Sequence, residues 1–317
     1  MNKKWEYVNI EEDKIKNIAN QYHISETIAK ILLNRGIEQE NQIENFLHPK
    51  IENLYDPFLF NDMDLAVDRI LQCQEKKEKI TIFGDYDVDG ITSTTVLSKF
   101  LTELGIENDF YLPNRLSEGY GLNCNAIEKI AMDGTKLLIT VDCGISGYEE
   151  VEYAKSLGLD VIVTDHHECP EKLPNAIAVI DAKRPDSTYP FNSLAGVGVT
   201  FKLIHAISLK LGLDRKSYLK YLDIVCLGTV ADIVPLVDEN RLIVHFGLML
   251  MEQTKNIGLK SLIEIAGYRE KMDSTSISFG LAPRINACGR LRRSGNCATT
   301  FINFFSRRGS KHCYEVK

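Results

Sequence analysis

Four short segments put acids and histidines where metal and phosphate chemistry could be done. The first is Asp85-Tyr-Asp87-Val-Asp89-Gly90 and the second Val141-Asp142-Cys143-Gly144. The third is Asp165-His166-His167, and the fourth is Gly228-Thr-Val-Ala-Asp232-Ile-Val-Pro235. If they converge, five or more carboxylates repel one another at neutral pH, and divalent cations remove that repulsion. Oxygen donors with one imidazole suit Mn²⁺ or Mg²⁺. Structural zinc would call for thiolates, and the eight cysteines include no C-x-x-C pair, the spacing such a site favours. Asp87 and Asp89 stand two apart, with Asp85 in the same spacing, so an extended strand would set them on one face. Vicinal histidines cannot point the same way in extended chain. We assign His166 to metal and His167 to substrate, where it would donate to a phosphate or move a proton.

Each signal has a plainer reading. The D-x-D-x-D-G run matches half of an EF-hand loop, but position twelve is Val96 where that loop needs Glu. A solvated acidic turn, a helix cap at Asp142 and a structural histidine pair are the others. Gly196-x-Gly198 reads as close helix packing rather than a nucleotide loop. The joint occurrence at four element ends decides for a shared centre. Basic residues form a second set: Arg115 and Tyr120 in a Pro/Gly loop, and Arg284 in APRINACGR. An arginine fork can hold a phosphate, and pairing with nearby acids reads equally well.

The elements that must position these residues follow from periodicity. Residues 1–50 and 64–75 read as charged amphipathic helices. Short apolar runs at 80–83, 137–140, 160–165 and 176–181 read as strands, and 91–104 and 147–157 as helices ended by glycine. This alternation predicts an α/β fold with a parallel sheet, whose ligands sit at the carboxyl ends of the strands. Residues 198–212, 216–228 and 240–266 read as helical, and 277–290, with its Gly and Pro, as an ordered loop.

Length and composition bound the answer. The chain has 317 residues, 44% apolar and 26% charged, which fits about two globular domains. It has no apolar run long enough to cross a membrane and no secretory signal at its start, so a cytoplasmic protein with reduced thiols is expected. Net charge is −7. Residues 291–317 carry +5 of charge, so the first 290 residues carry −12. An acidic body with a basic end is not a nucleic-acid coat.

DYDVDG, VDCG, DHH and GTVADIVPL resemble the four motifs of the DHH phosphoesterase superfamily. LPNRLSEGYGLN at 112–123, DAKRPDSTYPFNSLAGVGVTFKL at 181–203 and APRINACGR at 282–290 resemble, within it, the bacterial RecJ family of single-stranded-DNA-specific exonucleases. The resemblance runs over residues 1–290. It implies a DHH α/β domain at 76–235 behind a helical N-terminal segment at 1–75, a helical extension at 236–290, and an atypical basic tail at 291–317. It implies a 5′-to-3′ exonuclease of DNA repair and recombination, releasing nucleotides from single-stranded DNA with Mn²⁺ or Mg²⁺ at a two-metal site. By motif position the metal ligands would be Asp87, Asp89, Asp142, His166 and Asp232, with Asp85 supporting. His167, with Asp165, would serve the scissile phosphate. Arg115 and Arg284 would hold DNA phosphates, and single-strand binding protein would be a partner; oligomeric state is left open.

The tail departs from that pattern. The family continues into a DHHA1 domain and an OB-fold, and the tail leads us to expect that this chain lacks both. The expectation is therefore a truncated form that retains metal binding and has weak or no processive activity. Competing readings are a DHH-type hydrolase of short oligonucleotides or small phosphodiesters, a non-catalytic DNA-binding homologue, and an inactive remnant. The second predicts broken ligand positions, and every expected acid and histidine is present.

Overall fold

The structure, a computed structural model, describes residues 10–113, 118–119, 121–268 and 271–290. The chain divides into two compact units that meet between Asn53 and Leu54. In the first, α1 (Glu12–Gln21), α2 (Glu26–Asn34) and α3 (Glu40–Leu47) bury Ile15, Ile18, Leu32, Leu33 and Ile43. Ser25 caps α2, its side chain accepting from the Ile28 amide, as an N-cap serine should.

The second unit opens with α4 (Met63–Lys76), which packs against the sheet. The strands are β1 (Ile80–Gly84), β2 (Asn108–Tyr111), β3 (Leu137–Val141), β4 (Asp160–Thr164) and β5 (Ala178–Ile180). All pair in parallel, in the order β2-β1-β3-β4-β5. β1 and β3 are buried along their whole length, which is why they read as continuous apolar runs. Edge strand β2 carries Asn108 and Asp109 instead. Helix α5 (Val88–Glu103) follows β1, α6 (Cys124–Met132) precedes β3, and α7 (Tyr148–Ser156) joins β3 to β4. Phe83, Leu138, Val161 and Val163 pack with Ile127 of α6 and Val151 of α7. The other face of the sheet takes α4, α5 and α8 (Gly196–Lys210).

Beyond α8 come α9 (Lys216–Leu219), α10 (Leu222–Ala231), α11 (Asp238–Met251), α12 (Ile257–Ile265) and α13 (Ala282–Arg290). Two expectations need correction. The helix read at 216–228 is two, broken at Lys220–Tyr221, and 240–266 is likewise two, with Asn256 capping the second. Residues 277–290 are not a loop: a π-helical turn, Ser276–Leu281, runs into α13. Pro283 follows the π-helical turn inside one continuous helical stretch, so the proline lies within a helix rather than in a loop. Helix α6 was absent from the periodicity reading. It is only nine residues long, capped by Asn123.

One buried ion pair ties the helical layer together. Lys202 of α8 donates to Glu239 of α11 at 2.8 Å, and both side chains are almost wholly buried. Tyr189 donates its hydroxyl, and Tyr55 its amide, to the same carboxylate. Breaking such a pair strands a charge. Lys202→Met is expected to destabilise the chain by about 3–5 kcal/mol, read as a lower urea midpoint at unchanged slope; a change under ~1 kcal/mol would show that the pair is not ionised.

Candidate metal centre

Strand register builds the site. Gly84 of β1 pairs with Val141 of β3, Val141 with Thr164 of β4, and Thr164 with Ile180 of β5. The strand ends are level, and the residue after each is an aspartate: Asp85, Asp142, Asp165 and Asp181. All four are buried. The connection from β1 leads outward to β2, whereas β3 lies on the other side of β1. A crevice opens where the winding direction switches, between the ends that carry Asp85 and Asp142. Asp142 has a left-handed backbone, φ 59°, which aspartate tolerates better than most residues.

Three helices complete the cluster. Asp87 and Asp89 are not on an extended strand, as the spacing predicted. Asp87 caps α5, accepting from the Gly90 amide at 3.0 Å, and Asp89 lies in its first turn. The Asp89 carboxylate accepts the amides of Gly196 and Val197 at 2.7 and 2.8 Å, so the N-terminus of α8 aims it. Close approach needs glycine at two places. A Cβ on Gly196 would come 2.4 Å from Asp142 Oδ1, and one on Gly228 2.2 Å from Thr92 Oγ1. Gly228 brings α10 against α5. Asp232, four residues on and so on the same helical face, reaches the cluster.

His166 Nε2 is the hub. It lies 3.1 Å from Asp142 Oδ1, 3.7 Å from Asp232 Oδ2 and 3.9 Å from Asp89 Oδ2. Two overlapping groups have metal-binding geometry: Asp89, His166 and Asp232, and Asp142, His166 and His167. Burial, then the charge of Asp87, pushes Asp89 up to about 7. Burial, then Asp89, does the same to Asp232. Asp142 is raised well above the carboxylate range by burial and its acidic neighbours. Burial lowers His166, favouring the neutral imidazole that ligates metals. His166 thus brings no positive charge to the carboxylates around it, and this donor set of carboxylates with imidazole fits Mn²⁺ or Mg²⁺.

His167 behaves oppositely. Its Nδ1 is 2.6 Å from Asp165 Oδ1, and that bond is the main reason its pKa is raised. Burial pushes Asp165 up, but the His167 bond and the amides of Ile145 and His166 outweigh it and hold the carboxyl below its ordinary value. Both shifts favour the ionised form of the pair. With Nδ1 held inward, the ring presents Nε2 on its opposite side, and the side chain is 47% exposed.

The structure therefore gathers Asp89, Asp142, His166, His167 and Asp232, with Asp165 behind His167. Asp85 is buried at the end of β1 and Asp87 is the helix cap; neither belongs to the two metal-type groups among the described residues. Arg284 is exposed on α13 and donates to the Gly280 carbonyl at 2.6 Å. Arg115, Tyr120 and the basic tail lie outside the described residues. Asp181 was missed. Burial raises it to about 7, and its signal was available, since it follows a β-branched run just as Asp142 and Asp165 do.

Two outcomes follow. Gly196→Ala should weaken Mn²⁺ binding roughly 10–100-fold by displacing Asp142, with circular dichroism unchanged; equal affinity in a calorimetric titration would contradict this geometry. The second concerns pH. Asp89 and Asp232, near 7 when folded against an ordinary 3.8, bind protons more tightly in the folded chain. The stability this gives is fully present below pH ~4 and is lost as pH rises through about 7. In EDTA, the thermal midpoint should therefore fall between pH 5 and 8, and Mn²⁺ should raise it more at pH 8 than at pH 5. A midpoint that rises across that window would show that the carboxyls do not repel.

Comparison with known proteins agrees with the geometry. Residues 79–229 match the DHH family, N-terminal domain. The chain is 44% identical over 292 residues to the single-stranded-DNA-specific exonuclease RecJ of Bacillus subtilis (strain 168), covering 92% of this chain and 36% of that protein. It resembles a crystal structure of exonuclease RecJ bound to manganese (TM-score 0.71, 32% identity, 78% of this chain and 62% of that one). It also resembles RecJ in complex with Mn²⁺ from Thermus thermophilus (TM-score 0.78, 26% identity, 94% and 41%). The chain spans about a third of the length of its Bacillus relative. The chain belongs to the DHH family, and its similarity runs to the RecJ exonucleases.

Proposed function

We propose that the chain is the metal-dependent phosphodiesterase part of a 5′-to-3′ exonuclease that releases nucleotides from single-stranded DNA. The observation that carries this is the imidazole of His166 within 4 Å of three carboxylates, two of them buried, beside the hydrogen-bonded His167–Asp165 pair. Asp89, Asp142, His166 and Asp232 would hold Mn²⁺ or Mg²⁺, with Asp85 and Asp87 behind them adding negative charge. Bound cations would supply Lewis acidity and a water of lowered pKa.

The chain's own residues do the rest. The α8 amides fix the Asp89 carboxylate, so that ligand needs no reorganisation. Asp165 would hold the Nδ1–H of His167 inward and favour its protonated form. Its Nε2–H would donate to a non-bridging phosphate oxygen, drawing the scissile phosphate against the cluster. Arg284 and Arg115 would hold neighbouring phosphates. No helix among the described residues is long and apolar enough to cross a membrane. A cytoplasmic role in DNA repair and recombination, with single-strand binding protein as a partner, fits this reading.

The test is incubation of the purified chain with Mn²⁺ and 3′-labelled single-stranded DNA, beside Asp142→Ala and His167→Gln. Shortening from the 5′ end is expected, abolished in the first variant. In the second, kcat should fall about 10²–10⁴-fold with Mn²⁺ affinity within about threefold of wild type. Equal shortening by Asp142→Ala, or none by the unmodified chain with Mn²⁺ bound, would overturn the reading.

A further inference from the structure

Six non-glycine residues have left-handed φ among the described residues: His23, Asp62, Lys77, Asp142, Ile233 and Asp238. Five are polar. Ile233, at φ 63°, is the one β-branched member, and branching at Cβ makes this conformation most costly. It follows Asp232 at the end of α10, a position where chains commonly place glycine. Its side chain gains nothing from burial, being 86% exposed. A lone exposed apolar residue needs no explanation, and Met132 and Phe279 are nearly as exposed on helical backbone. Ile233 joins exposure to strain, and strain of this kind gathers at functional sites.

Its place supplies the reason. The metal-type cluster is closed at Asp89 and Asp142, whose side chains are 1% and 4% exposed, and open at Asp232 and His167, at 24% and 47%. Ile233 is one Cα step, about 3.8 Å, from Asp232, the most exposed of the three carboxylates around His166. A phosphodiester reaching the cluster must enter there, with the sugar and base of its nucleotide beside the phosphate. We infer that Ile233 is a specificity-determining residue, an apolar wall against which the base of the 5′-terminal nucleotide rests while its phosphate meets the cluster. This rests on the exonuclease reading. A branched aliphatic side chain offers every base a surface and no hydrogen-bond code, as a sequence-tolerant enzyme needs.

The test compares wild-type chain, Ile233→Val and Ile233→Gly with Mn²⁺ on two 3′-labelled single strands, one with a normal 5′-terminal nucleotide and one abasic there. The readout is the ratio of kcat/KM for the base-bearing end over the abasic end. Wild type and Ile233→Val should show a clear preference, and Ile233→Gly should lower the ratio roughly tenfold. The glycine variant should keep or raise the thermal midpoint, since it relieves the left-handed backbone. An unchanged ratio in Ile233→Gly would overturn the inference alone. So would an unchanged ratio with a lowered midpoint, the mark of a purely structural contact. Failure of wild type to shorten either strand would overturn the exonuclease reading and this inference with it.

Discussion

Parallel pairing in level register places an aspartate at the end of four strands, and the rest of the structure answers the resulting concentration of negative charge. Asp85, Asp142, Asp165 and Asp181 are buried in a row, and Asp87, Asp89 and Asp232 approach from helices. Buried like charges within a few ångströms cannot all stay ionised without compensation. The chain compensates each differently. Asp165 has the His167 ring and backbone amides; Asp89 has the N-terminus of α8; Asp87 has the first turn of α5. Asp142 and Asp232 share the neutral ring of His166, which cannot neutralise them. The remaining charge is what a cation would answer, so metal specificity begins in sheet register.

Much of this was legible in the sequence. Apolar runs ending in Asp142 and Asp165 read as buried strands because burial on both faces leaves no alternation to confuse them. The histidine assignment rested on vicinal residues pointing apart; the rings stand 4.4 Å apart, with His166 against three carboxylates and His167 bonded to Asp165, and both enter one metal-type group with Asp142. The geometry of Asp87 and Asp89 was not legible. Spacing alone does not say whether D-x-D lies in a strand or straddles a helix start, and the Gly90 amide on Asp87 decides for the helix. Asp181 was overlooked although the strand that ends in it was read at 176–181, and the register sets it level with the other strand ends. Pro283 and Gly289 pointed to a loop because punctuation was weighed above the apolar positions Leu281, Ala282 and Ile285, which are buried.

The glycines show how spacing becomes geometry. In Gly228-Thr-Val-Ala-Asp232 the four-residue separation is one helical turn, so the surface that lets α10 touch Thr92 of α5 is the surface that carries Asp232. In Gly196-Val197 the absent side chain makes room for the Asp142 carboxylate, while the two amides take Asp89. Each small residue thus serves a contact and a ligand together. A substitution there would disturb the cluster before it disturbed the core.

Stability and chemistry are consequently in tension at one edge of the sheet. Raised carboxyls at Asp89, Asp142 and Asp232, and left-handed backbone at Asp142 and Ile233, all cost folding free energy. The core of β1, β3 and β4 with its flanking helices, and the Lys202–Glu239 network away from the cluster, supply the opposing free energy. A cation that binds only the folded chain adds RT ln(1 + [L]/Kd), about 2.7 kcal/mol at a hundredfold excess over Kd. That is comparable to the roughly 1.4 kcal/mol per pH unit at stake in each raised carboxyl. The ion would therefore be part of the fold's stability as well as its chemistry, and the sequence can retain an unfavourable row of aspartates because binding recovers what their repulsion takes away.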